Sequence, residues 1–215
     1  MPQSLAFNTD CMEALRQMKD NEFDLAVVDP PYGVSIKGGF GRRKNDFVAI
    51  KYNPKVTWDD EPPSLEYFIE LFRVSKNQII WGGNYFTDKL YPSKSWLVWD
   101  KKYMTDQLTF SMAELAWTSL NNPIKVFYKT NNEAFSKKIH PTEKPIELYD
   151  WIFKNFASPG MKILDTHLGS GSSRIAAWDA GLDFVGYEID KTYFDKQEER
   201  FARHAAQQNL FLMDE

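Results

Sequence analysis

Lys162-Ile163-Leu164-Asp165-Thr166-His167-Leu168-Gly169-Ser170-Gly171-Ser172-Ser173 reads as a strand, a glycine turn and the opening of a helix. The glycines let the backbone approach a ligand closely, and free N–H groups at a helix start favour the ligand's negative end. About twenty residues on, Phe184-Val185-Gly186-Tyr187-Glu188-Ile189-Asp190 gives a second strand that ends in acids. An acid there is placed to accept from two ribose hydroxyls. No Gly-Lys-Ser/Thr follows the turn, which disfavours a triphosphate loop, and Arg174 stands where a dinucleotide fingerprint has its third glycine. The ligand class that remains is a nucleoside with a short charged tail.

A second strand end carries different chemistry. The apolar run Leu25-Ala26-Val27-Val28 is followed directly by Asp29-Pro30-Pro31-Tyr32. Two prolines fix φ near −65° and remove two backbone donors, so the carbonyls around Asp29 and Pro30 can face a cleft. Asp29 and a backbone carbonyl suit the two N–H bonds of a planar amine, with Tyr32 as a flat wall for its ring. The plainer alternative is a strand followed by a proline-rich turn.

Working outward, strands are expected at Phe23 to Val28, Gln78 to Trp81, Trp96 to Trp99, Leu115 to Trp117, Lys162 to Leu164 and Phe184 to Tyr187. Helical spacing occupies Cys11 to Met18, Leu65 to Val74, Pro145 to Phe156, Ser173 to Ala180 and Lys191 to Gln208. This alternation predicts a doubly wound α/β fold, a mostly parallel sheet with helices on both faces. One domain over residues 1–215 is expected, with loop excursions at 33–63 and 121–141.

Composition narrows the class. Hydrophobic residues make up 43% of the chain, enough for a packed core. The single cysteine, Cys11, cannot form an internal disulfide, and no apolar stretch approaches the ~20 residues needed to cross a bilayer. With no signal-peptide pattern at the start, a cytoplasmic protein with no membrane partner is expected. Net charge is −4, yet between Gly33 and Val56 six basic residues, Lys37, Arg42, Arg43, Lys44, Lys51 and Lys55, face one acid, Asp46. That Gly-rich basic segment suits phosphates, and Lys125, Lys129, Lys137 and Lys138 form a second strip.

Two further segments lie beside predicted helix starts. In His140-Pro141-Thr142-Glu143-Lys144-Pro145, Thr142 suits an N-cap and Lys144 a carboxylate partner. In Asn8-Thr9-Asp10-Cys11, Asp10 suits either a cap or an adenine amine.

Taken in order, these motifs, together with Trp81-Gly82-Gly83-Asn84-Tyr85-Phe86 and Trp99-Asp100-Lys101, resemble the permuted β-class of S-adenosylmethionine-dependent DNA amino-methyltransferases. The resemblance covers nearly the whole chain. It implies a circularly permuted Rossmann-like methyltransferase fold and transfer of a methyl group to adenine N6 in flipped-out duplex DNA. Asp29 and the Pro30 carbonyl would hold the amine, with Pro31 shaping the turn and Tyr32 stacking on the base. Asp165, His167, Gly169, Ser170 and Gly171 would line S-adenosylmethionine, Glu188 would bind its ribose, Asp10 its adenine, and Thr142 with Lys144 its methionine carboxylate. Lys37, Arg42, Arg43, Lys44, Lys51, Lys55, Lys137 and Lys138 would contact DNA, and small enzymes of this class often form homodimers. The alternatives are cytosine N4, adenine in RNA, and a non-catalytic scaffold of the same fold. The chain departs from the family at Thr166-His167, where Pro-Phe is usual. A histidine there brings a group that titrates near neutrality when unperturbed.

Overall fold

The computed structural model describes residues 2–33, 61–102, 111–130, 139–140 and 142–213, with 208–213 as backbone alone. Eight strands form one sheet: β1 (Ser4–Phe7), β2 (Leu25–Val28), β3 (Gln78–Trp81), β4 (Trp96–Asp100), β5 (Ala113–Thr118), β6 (Lys125–Tyr128), β7 (Lys162–Asp165) and β8 (Asp183–Tyr187). Their spatial order is β1-β8-β7-β2-β3-β5-β4-β6. Every pairing is parallel except the two made by β5, which runs antiparallel to both β3 and β4.

The central strands are buried on both faces, which is why they read as continuous apolar runs rather than alternating ones. In β2, Leu25 and Val27 join one core with Ile79, Trp81 and Trp99, while Ala26 and Val28 join another with Ile80. Helices close both sides. α1 (Cys11–Leu15) and α2 (Leu65–Val74) supply Leu15, Tyr67, Phe68, Leu71 and Val74 to the second core. α3 (Ile146–Phe156) and α4 (Ser172–Asp179) supply Leu148, Ile152, Phe153, Ala176 and Ala177 to the first. Each large apolar side chain taken fully from water stabilises the fold by about 1.5–3 kcal/mol. α5 (Lys191–Met213) lies against α4, with Phe201 edge-on to Trp178.

Two strands escape the sequence reading, β1 and β6. They are the two edges of the sheet, four residues long with alternating exposure, so neither shows a buried apolar run. β6 sits within the stretch 121–141 expected to be irregular. Phe23 makes only an isolated bridge to Ser75, and the helix expected to reach Met18 ends at Leu15.

The decisive placement is at the middle of the sheet. β7 and β2 are neighbours, although more than 130 residues separate them in sequence. From β7 the chain continues through α4 to β8 on one side, and from β2 through α2 to β3 on the other. This is a topological switch point, where the carboxyl ends of two strands open a ligand crevice. Both strand ends singled out in the sequence therefore face the same crevice.

Candidate active site

At the end of β2, Asp29 meets a cation. Its Oδ2 pairs with the Lys144 ammonium, and its Oδ1 accepts a 2.7 Å hydrogen bond from the Tyr32 hydroxyl. Lys144 also donates to the Tyr32 hydroxyl at 3.2 Å and to Glu114 Oε2 at 3.2 Å. Glu114 Oε1 in turn pairs with Lys101 at 2.6 Å. Two carboxylates and two ammoniums thus share one largely buried cluster, the Lys144 side chain being only 3% exposed. Burial pushes the Glu114 carboxyl up, but Lys144 and Lys101 outweigh it and bring its pKa down to about 2. Burial, reinforced by the nearby Glu114 charge, drives Asp29 above its usual value against the pull of Lys144.

Tyr32 lies against the Trp81-Gly82-Gly83-Asn84-Tyr85 turn. Gly82 has φ +70°, and a Cβ there would come within 2.2 Å of the Tyr32 ring. Only glycine permits that approach. Tyr85 stacks on Tyr32 with centroids 4.9 Å apart and planes 15° from parallel.

At the end of β7, Asp165 has no ion-pair partner among the described residues. Asp165 Oδ1 accepts from the His167 N–H at 3.0 Å, and its Oδ2 accepts from Ser173 Oγ at 2.5 Å. Burial raises its pKa to about 7. The turn needs left-handed backbone at Gly169 (φ +53°) and Gly171 (φ +76°). Gly171 caps α4 with no side chain, so the first helical N–H groups keep no local side-chain acceptor. Across the turn, Glu188 Oε2 accepts from the Gly169 N–H at 2.8 Å, and its Oε1 from the Asp190 N–H at 2.8 Å. Ser170 is buried, its hydroxyl 3.1 Å from that of Ser172.

The segment around Lys144 joins the two strand ends. His140 covers the turn, 3.7 Å from where a Gly169 Cβ would sit, and its ring meets Tyr193 edge-on at 4.3 Å. Thr142 does not cap α3, whose N-cap is Pro145. Its hydroxyl is instead 2.9 Å from His140 Nδ1. Asp10 takes the capping role open to it, accepting from the Met12 N–H at 2.8 Å. Lys144, expected at a methionine carboxylate, has its ammonium on Asp29, Glu114 and Tyr32.

Known proteins resemble this chain in sequence and in fold. The sequence profile of a family described as DNA methylase, covering N6 and N4 enzymes, matches residues 80–199, more than half of the chain. The chain belongs to the N6/N4 DNA methylase family. YubD of Escherichia coli (strain K12), a methylase candidate, is 35% identical over 63 residues. That match spans 29% of this chain and 28% of YubD. Among solved structures, the complex of M1.HpyAVI with SAM superposes with a TM-score of 0.61 at 17% identity, covering 93% of this chain and 98% of that one. The cytosine-N4-specific PvuII DNA methyltransferase gives 0.62 at 12% identity, covering 93% and 87%. TTHA0409 of Thermus thermophilus, complexed with S-adenosyl-L-methionine, gives 0.56 at 18%, covering 94% of each chain. At these identities the likeness is one of fold.

In this chain both Arg174, set where a dinucleotide fingerprint has its third glycine, and Thr166-His167, set where the family usually has Pro-Phe, have structural answers. Arg174, in place of a third glycine, turns away from the turn. It donates to Ser4 Oγ at 3.0 Å, pairs with Glu198 at 2.6 Å and lies 3.9 Å over the Phe201 ring. Thr166 and His167 continue a hydroxyl chain from α2, with Tyr67 Oη 2.6 Å from Thr166 Oγ1, itself 2.9 Å from His167 Nδ1. Burial lowers the His167 pKa to about 4, so the ring is neutral at pH 7, in place of the titration near neutrality expected from sequence.

Sequence reading did not find Glu114, Lys101, Tyr67 or Arg200. Arg200 on α5 donates to the Ser170 carbonyl at 2.9 Å and pairs with Glu143 at 3.1 Å. Glu114 sits in an ordinary strand context with no motif to flag it. The one local signal was Lys101 in Trp99-Asp100-Lys101. The residues expected to contact DNA, Lys37, Arg42, Arg43, Lys44, Lys51, Lys55, Lys137 and Lys138, lie outside the described residues. Of the second strip, Lys125 donates to Asn155 at 2.6 Å and Lys129 pairs with Glu147. Among the described residues no group of three or more His, Cys, Asp or Glu could hold a metal ion, and no helix is long and apolar enough to cross a membrane.

Proposed function

We propose that this chain transfers a methyl group from S-adenosylmethionine to the N6 amine of adenine in duplex DNA. The observation that carries the reading is the adjacency of β2 and β7. It brings an amine-accepting corner and a nucleoside-type turn to one crevice.

The residues of the β7 side fit the cofactor. A side chain at Gly169 would meet the His140 ring first, at ordinary contact distance, and the uncapped start of α4 is suited to a carboxylate. Glu188 keeps lone pairs beyond the two N–H bonds it accepts, enough for ribose hydroxyls. Gly169, Ser170, Gly171 and the neutral His167 would line the cofactor, with Asp165 holding the turn in shape. Asp10, tied by one oxygen to Met12, has the other for an adenine amine. Thr142 stands beside His140 at the turn, whereas Lys144 serves the amine corner in this reading. Bound there, S-adenosylmethionine supplies an electrophilic sulfonium methyl.

On the β2 side, the chain makes a weak nucleophile reactive. An exocyclic amine donates its lone pair into its ring. Acceptors at Asp29 and the Pro30 carbonyl hold its N–H bonds so that the lone pair faces the methyl, and Asp29 stabilises the charge developing on nitrogen. Pro30 and Pro31 keep that turn rigid. Tyr32, its hydroxyl tied to Asp29, offers its ring to the extruded base, whose unstacking costs a few kcal/mol. Cys11, half-buried and with its thiol pushed up to about 12 by burial, is no nucleophile here. The basic residues of 33–56, with Lys137 and Lys138, would bind phosphates. Contact with about six of them predicts a roughly thousandfold loss of affinity between 50 and 200 mM salt.

Product analysis separates adenine from cytosine. Duplex DNA methylated with radiolabelled S-adenosylmethionine and digested to nucleosides should carry label in N6-methyladenine. Label in N4-methylcytosine would move the acceptor to cytosine, and label only on RNA would move the substrate. Stoichiometric cofactor binding with no transfer to any of these would indicate a scaffold.

A further inference from the structure

The amine corner contains a carboxylate that the methyl-transfer reading does not use. Glu114 lies on β5, opposite Trp99 of β4, and reaches the crevice from the side remote from β7. It spans two ammoniums, with Oε1 2.6 Å from Lys101 and Oε2 3.2 Å from Lys144. Lys144 has three N–H bonds and three acceptors around it: Asp29, Glu114 and Tyr32. Its charge is therefore divided between the carboxylate that would hold the substrate and one that would not touch it.

That division matters because Asp29 would act as an acceptor. A carboxylate wholly neutralised by a contacting ammonium in a buried site accepts a further N–H bond weakly and stabilises little positive charge on the amine. A carboxylate with no cation would be too costly to bury ionised. We propose that Glu114 is a positioning residue for methyl transfer: braced by Lys101, it draws part of the Lys144 charge away from Asp29 and leaves Asp29 able to accept the target amine. This rests on the methyl-transfer reading for its catalytic consequence, though not for its electrostatics. Lys144 then has a double duty, keeping Asp29 ionised while yielding enough of it to the substrate.

The groups acting on Asp29 all bear on the test. Lys144 and Tyr32 touch it, and Glu114 acts from β5. Asp165 acts on it from β7, and Tyr67 on α2 and Tyr149 on α3 lie within electrostatic reach as neutral phenols. Of these, Glu114 is the near negative charge that raises Asp29 and can be removed without changing shape. Glu114→Gln takes that charge away and gives Lys144 more fully to Asp29. Both effects lower the Asp29 midpoint.

The test is a carbon-13 NMR titration of the Asp29 carboxyl in the ligand-free protein, paired with pH profiles of methyl transfer to duplex DNA. Three variants accompany wild type: Glu114→Gln, Glu114→Asp and the charge-balanced Lys101→Met/Glu114→Gln, which keeps the cluster neutral if the single change fails to fold. Expected are an Asp29 midpoint lower by about one pH unit or more in Glu114→Gln and in the double variant. The acid limb of kcat/KM should move down equally, kcat should fall roughly ten- to a hundredfold, and Glu114→Asp should recover most of it. A folded variant with an unmoved or raised midpoint overturns the proposal, as does a lowered midpoint with kcat unchanged. A wild-type protein that transfers no methyl while the midpoint still falls overturns the methyl-transfer reading and supports the electrostatic assignment.

Discussion

The ends of β2 and β7 begin alike, as buried strands that each deliver an aspartate to the same crevice, and then diverge. Asp29 is bound by a cation and a phenol in a four-charge cluster. Among the described residues Asp165 accepts from a serine hydroxyl and a backbone N–H alone, and those two bonds fix the turn that follows it. One aspartate is poised on charge, the other serves as a brace for backbone. The contrast shows why Asp-after-a-strand is ambiguous in sequence: what surrounds the carboxylate decides whether it is held among charges or among backbone donors.

If the contrast is right, the charged corner is the more fragile half. Lys144→Met would leave Asp29 and Glu114 buried with only Lys101 to balance them. Removing one partner of a buried pair typically costs about 3–5 kcal/mol, and urea unfolding should show a loss of that order. A loss below about 1 kcal/mol would mean that water reaches the cluster freely. Gly82→Ala attacks the same corner through its backbone, placing a methyl on the Tyr32 ring at a left-handed φ. It should destabilise by roughly 1–3 kcal/mol, read by thermal melting, and loosen Tyr32.

The neutral half should respond more mildly. Ser173→Ala removes one of two donors to Asp165 and should cost about 1–2 kcal/mol, while raising the Kd for S-adenosylmethionine through a looser turn. Calorimetric titration beside unfolding curves measures both. The remaining effect is a slope with pH. His167 has a folded pKa of about 4, below its unfolded value of 6.5. Between those values the unfolded chain takes up a proton that the folded ring does not, so wild type loses stability relative to His167→Gln as pH falls through the window. Above pH 6.5 the difference should be constant. A difference that grows from pH 6.5 to 8 would show that the ring is charged in the folded protein.

How far the sequence could be read follows the same divide. The glycine turn, the Asp-Pro-Pro-Tyr corner and the buried strands were legible because each is local: backbone freedom, ring rigidity and apolar runs are properties of consecutive residues. β1 and β6 were not, since edge strands of four residues bury only one face. Nor was the charge cluster. Glu114, Lys101 and Lys144 come from three separate segments, and only the antiparallel β5 brings Glu114 to the β2 side of the crevice. Thr142 misled for a related reason, since the N-cap of α3 is Pro145, three residues later, which leaves the Thr142 hydroxyl to His140.

The most direct test of the central claim separates the two strand ends in one preparation. Cofactor affinity and the rate of label transfer to duplex DNA would be measured together for wild type and Asp29→Asn. The account predicts that Asp29→Asn binds S-adenosylmethionine within about threefold of wild type and transfers at least about a hundredfold more slowly, the loss expected when a preorganised charge is removed. Transfer at the wild-type rate by Asp29→Asn would contradict it.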